Sequence, residues 1–199
     1  MSTDPTASEP APGSDLFSAG GIVAEPPGPV HNPYLRPRPI WQFVLLVVGS
    51  LGIYQIWWFF QSWRHVKARR GLDVYPAVRA IFSPLFSYSL FRHLFEMAEE
   101  EGYPEHPPAG PLAVAYFVLG ALAQLPYPRG LVAMLNVVPL LPAVETQNFL
   151  LRGEAKGLPE RPGFSPGELL LLALGSVLWA SLIAAILDPS LIPPGALPK

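Results

Sequence analysis

Residues 40–71, IWQFVLLVVGSLGIYQIWWFFQSWRHVKARRG, set the largest rings of the chain directly against its densest cluster of cations. From Ile40 to Phe60 there is no Asp, Glu, Lys or Arg. As one helix this stretch is about 31 Å long at 1.5 Å per residue, which matches the hydrocarbon thickness of a bilayer. Trp41 marks one membrane interface, and Trp57, Trp58 and Trp63 mark the other, because amphipathic rings favour the headgroup layer. Arg64, Lys67, Arg69 and Arg70 follow at once and hold that end on the cytoplasmic side. A soluble core helix would carry a polar face, and here every face is apolar. The pattern predicts a span over 40–60, with the helix running on to Arg70 and stopping at Gly71, a residue suited to the left-handed position past a helix end.

Composition agrees with a membrane chain. Only 14% of the 199 residues are charged, against about 25% in soluble domains. The net charge of −2 supplies no positive field for nucleic acid. The absence of cysteine excludes disulfides, thiolate metal sites and a cysteine nucleophile. Residues 1–39 hold nine prolines among Ser, Ala, Gly and acids. They predict a disordered tail, and 189–199 predict a second, Pro-rich one. Leu16 to Ala24 is a short apolar run with no basic segment before it, so no cleaved signal is expected.

The rest of the membrane domain, 40–188, divides into further apolar runs. Residues 76–98 carry Arg79 and Arg92 too close together to flank a span, and Pro84 falls between them. They predict an interfacial helix or helix pair, followed by an acidic loop from Glu96 to His106. Spans are expected at about 111–127, 131–150 and 168–187. The middle two are short enough to form either tilted spans or one re-entrant hairpin. With four spans, one side receives nine Lys and Arg and the other receives four. That asymmetry puts both termini outside the cytoplasm.

The motifs that imitate chemistry have simpler readings. GFSPG, Gly163 to Gly167, fits the nucleophile-elbow pattern, but the residue after serine is Pro166, which has no N–H for an oxyanion hole. Ser165 and Glu168 instead form the S-x-x-E of a capping box, with Pro166 at the first helical position. His93, Glu96 and Glu100 share a helical face and could approach a metal, yet beside Arg92 they read as a solvated charged face. Arg64, Lys67, Arg69 and Arg70 would attract anionic headgroups at about 1 kcal/mol each. Asn136 and Glu145, in a segment broken by Pro139 and Pro142, are candidates for transport or for polar packing at membrane depth. Phosphate-loop, H-E-x-x-H and dinucleotide motifs are absent from the sequence.

LGIYQIWWFFQSW (Leu51 to Trp63) resembles the aromatic span end, of the type G-I-Y-x-x-x-W-F-Y, of small uncharacterised multi-pass proteins of the bacterial inner membrane. VRAIFSPLFSYSLFRHL and VPLLPAVETQNF are similar to later segments of that group. The resemblance implies a location and brings no activity or catalytic residues.

The sequence therefore predicts an all-α integral membrane bundle of about four transmembrane helices plus an interfacial helix. Its expected role is a non-enzymatic interaction or scaffold protein, with a small transporter or channel component using 111–148 as the alternative. No cofactor, metal or catalytic residue is expected. Expected partners are membrane lipids and a membrane protein or second copy of the chain, with no nucleic acid.

Overall fold

The computed structural model describes residues 36–125, 129–154 and 163–187. Among them every regular element is helical: α1 (Ile40–Gly49), α2 (Ile53–Arg70), α3 (Pro76–Ile81), α4 (Ser83–Glu100), α5 (Ala109–Ala121), α6 (Leu141–Glu154) and α7 (Pro166–Leu187). Short 3₁₀ geometry at Leu122–Gln124 ends α5, and a 3₁₀ run at Arg129–Leu140 leads into α6. The expectations for both tails lie outside the described residues, except at 36–39.

The all-α class is as predicted, but 40–60 is not one helix. Leu51 (φ 52°) and Gly52 (φ 88°) both take the left-handed conformation and break it. Glycine adopts that region freely, whereas leucine does so at a cost of about 1 kcal/mol. The chain then turns back, so that the Phe43 ring lies 6.1 Å from Tyr54 and 5.6 Å from Trp58. In a straight helix residues 43 and 58 would be about 22 Å apart. The turn satisfies its own backbone. Gly52 N–H donates to the Val47 carbonyl at 2.8 Å and Ile53 N–H to that of Ser50 at 3.2 Å. Tyr54 N–H donates to the buried Ser50 hydroxyl at 3.0 Å.

Two more hairpins follow. The α2 helix ends where the sequence predicts, at Gly71 (φ 63°), whose N–H returns to the Lys67 carbonyl. Residues 76–98 form a helix pair, α3 and α4, divided at Phe82, with prolines in both first turns. The predicted loop from Glu96 is helical as far as Glu100. The third hairpin packs α5 against 129–140. Pro139 and Pro142 lack the N–H groups that α-helical bonding needs, which explains why regular helix is established only from Leu141 onward.

Ring contacts Phe59–Phe91 and Trp63–His93 and the ion pair Arg70–Glu100 advance together, so α2 and α4 run parallel. Ser62–Gln147 and Arg69–Glu154 show the same for α6. The C-termini of α2, α4 and α6 therefore meet at one charged end, and the hairpin tips gather at the other. Between them lies a core of Phe43, Leu46, Phe59, Trp63, Leu90 and Phe91.

The capping box on α7 is formed as the sequence predicts. Ser165 N–H donates to Glu168 Oε2 at 2.7 Å, and Glu168 N–H reaches Ser165 Oγ at 3.3 Å. Ser165→Ala should lower stability by about 1 kcal/mol, checked by denaturant unfolding in detergent. No loss would mean that α7 starts elsewhere.

Candidate functional site

The aromatic–cationic end of α2 divides into an inner and an outer half. Trp57 is 48% exposed, whereas Trp58 is 6% exposed and Trp63 is fully buried. Trp58 and Trp63 are thus core residues, which corrects their expected place in a headgroup layer. Helical periodicity turns them inward against Phe43 and His93, and the Arg79 guanidinium covers the Trp63 ring at 4.3 Å. That contact also gives Arg79 a partner inside the molecule.

Most of the cations meet partners within the chain. Arg69 pairs with Glu101 and, at 2.9 Å, with Glu154. Arg70 meets Glu100 at 2.8 Å, and Lys67 donates to the Val74 carbonyl at 2.9 Å. Arg64 is exposed, lies 5.7 Å from the Phe60 ring, and donates to Gln61 Oε1 at 3.4 Å. The cluster clamps three helix C-termini, where cations are also favoured by the helix dipoles. Of the predicted headgroup contacts, Trp57 and Arg64 keep the most open geometry.

Among the described residues, His93, Glu96 and Glu100 are not gathered into a metal-ligand group. The Arg92 hydrogen bond holds Glu96 below the usual carboxylate range, and Glu100 faces Arg70.

Beneath the charged end lies a polar seam that joins Gln147 and Asn148 of α6 to Ser62 of α2 and to the Arg38 backbone. Ser62 Oγ lies 2.8 Å from the Trp58 carbonyl and 3.1 Å from Gln147 Oε1. Asn148 clasps the backbone of Arg38, accepting its N–H at 3.0 Å and donating to its carbonyl at 2.8 Å. Trp58, Ser62, His65 and Arg69 lie at helical spacing on α2, and that periodicity was the available signal.

His65 Nε2 lies 3.4 Å from Glu154 Oε1. Burial, with the Arg69 charge nearby, lowers the His65 pKa to about 4. A histidine kept neutral in the folded state contributes stability above its unfolded pKa, near 6.5, and loses it as pH falls toward 4. The full effect is on the order of 3 kcal/mol. Burial raises the Glu154 pKa, which acts oppositely, since that contribution is lost as pH rises through the folded value. Wild type should therefore destabilise from pH 6.5 to 4 more steeply than His65→Gln in detergent melts. Parallel pH profiles would refute the buried neutral imidazole.

Asn136 and Glu145 are not brought together. Asn136 is half-buried and borders a cleft of about 530 Å³ among the hairpin tips, while Glu145 is exposed on α6 and does not line it. The side chains of Gln124 and Arg129 lie outside the described set.

The outer surface of α7 completes the site. The helix is apolar on every face, and among its described side chains only Glu168 and Gly175 are buried. It is the single described helix long and apolar enough to cross a membrane, while Ile40–Gly49 and Ala109–Ala121 are apolar but shorter.

Compared with known proteins, the chain matches no family model, no curated protein and no solved structure.

Proposed function

We propose a non-enzymatic membrane interaction protein that crosses the bilayer once, with α7, and inserts its three hairpins part-way from the cationic side. The observation that carries this reading is the surface of α7. Its 22 residues make a helix of about 33 Å, and Leu169, Leu170, Leu174, Val177 and Ile183 are each about half exposed or more. Water does not tolerate so long an apolar surface, whereas hydrocarbon does.

The hairpin tips support insertion. Ile53, Ile81, Phe82, Leu85, Phe117 and Val118 are exposed there. The backbone at 50–55 bonds internally, as a turn within a bilayer must. The cationic end then faces the cytoplasm. The bacterial inner membrane is assigned on the resemblance of Leu51–Trp63. Lipids contact α7 and the tips, and the charged end meets a protein partner, a second copy included.

This orientation differs from the one the sequence predicts. Without a crossing at 40–60, Arg36 and Arg38 stay cytoplasmic, while Leu187 keeps the outside position expected of the C-terminal end. The cysteine-free chain permits a direct test: Arg36→Cys, Arg70→Cys and Leu187→Cys, each labelled in intact cells with a membrane-impermeant maleimide. Only Leu187→Cys should react. Reaction at Arg36→Cys would restore a crossing at 40–60 and the four-span bundle, and silence at Leu187→Cys would remove α7 as an outward span.

A transport role for 111–148 is the second reading, favoured by the position of Asn136 on the cleft. An ion flux in proteoliposomes, abolished by Asn136→Leu, would move the assignment to it.

A further inference from the structure

The geometry points to the cleft among the hairpin tips as a binding site for an uncharged glyceride lipid of the diacylglycerol class, entering sideways from the bilayer. The inference rests on the reading of α7 as a membrane span. The cleft, of about 530 Å³, falls within the roughly 300–1,000 Å³ of small-molecule sites. All three hairpins build it: Leu51 and Gln55 from the first, Ser83 from the second, Tyr116, Gly120 and Asn136 from the third.

Its chemistry selects the ligand. None of the described lining residues is charged, so a phosphate headgroup would find no counter-charge among them, and burying it without one is prohibitive. The polar groups are two carboxamides and a hydroxyl pair. Ser83 Oγ and Tyr116 OH satisfy each other at 3.1 Å. Gln55 Oε1 is buried and has no hydrogen-bond partner among the described residues. A buried amide oxygen left unpaired is costly, and a turn of the soft terminal torsion of Gln55 would bring its carboxamide to a ligand hydroxyl in the cleft. The Asn136 side chain can donate to an ester carbonyl. The rim is apolar and exposed, at Ile56, Ile81 and Phe117, as acyl chains require.

Depth agrees with the chemistry. The tip of the first hairpin lies against Gly175, the tenth residue of α7 and about 14 Å along it. The cleft therefore lies well within the hydrocarbon, a depth a neutral glyceride reaches and a charged headgroup does not.

The test uses full-length protein in phosphatidylcholine nanodiscs with two photoreactive probes, each carrying a diazirine in one acyl chain: a diacylglycerol and a phosphatidylcholine of identical chains. The diacylglycerol should label residues between Tyr116 and Asn136 saturably, and unlabelled diacylglycerol should compete. Gln55→Leu and Asn136→Leu should each weaken that labelling about three- to ten-fold, the loss of one hydrogen bond. Ala121→Phe, which fills the cleft from its exposed side, should abolish it even if Gln55→Leu fails to fold. Equal, unsaturable labelling by both probes would overturn the proposal, since ordinary acyl chains would then fill the cleft. Labelling of α7 without labelling of the cleft would overturn it while leaving the span intact. Absence of label on α7 from either probe would overturn the span reading and this proposal together.

Discussion

Glu168→Gln should cost about 3 kcal/mol of folding stability, more than its position at a helix start suggests. Arg38 Nη2 donates to Glu168 Oε1 at 2.6 Å, with both side chains only about a tenth exposed. The pair joins the start of α1 to the start of α7. Glutamine keeps the capping box, because its carbonyl can still accept the Ser165 N–H, so the substitution isolates the charge. It leaves Arg38 enclosed with the Tyr54 ring at 5.8 Å and no counter-ion among the described residues. Arg38→Met should cost less, about 1–2 kcal/mol, because Glu168 retains the Ser165 N–H and the positive end of α7. The double variant should recover part of the loss, giving a coupling of about 2 kcal/mol. Denaturant unfolding in detergent measures all three. A Glu168→Gln cost under about 0.5 kcal/mol, in the range of exposed pairs, would mean that water reaches the pair.

Gly175→Leu should separate α7 from the rest of the molecule. A Cβ built on Gly175 would lie 1.9 Å from the Gly49 carbonyl oxygen, and one on Gly49 would lie 2.7 Å from Leu172 Cδ2. The first clash is with backbone, which cannot rotate away, so the helices themselves must move. Small residues at such crossings let backbones approach closely in membranes. The separation also removes the bond from Trp179 Nε1 to the Val48 carbonyl at 2.9 Å. Overpacking and the lost hydrogen bond together should cost about 3–4 kcal/mol. Melting should fall by roughly 10 °C, with a shift in Trp179 fluorescence. Gly167→Leu, where a Cβ meets open space, should change little. An unaltered melt for Gly175→Leu would mean that α7 does not pack on α1 this way.

Several features were legible because they are local. Hydropathy and the absence of strand alternation gave the all-α class. The stop at Gly71 and the box at Ser165–Glu168 depend on a few adjacent residues, whose backbone preferences hold in any context. The apolar length of α7 was equally plain. Pro84 and the close arginines excluded a span at 76–98, and the helix pair found there follows from the same residues.

The tertiary structure decided the rest. Hydropathy is identical for an apolar segment that crosses a bilayer and one that turns back within it, so 40–60 read as a span until Leu51 and Gly52 were seen in left-handed conformations. Tryptophans at 57, 58 and 63 share one composition but point in different directions, and only the packing of Phe43, His93 and Arg79 shows which rings are interior. The partners of Arg38 and Arg69 are distant in sequence, so counting charges along the chain could not reveal that those cations are already engaged. The sequence by itself determined the all-α class and which segments are apolar, because propensity and burial energy act residue by residue. Which of them turn back on one another or enclose a polar cleft depended on contacts between remote segments, whose energies exist only once the helices meet.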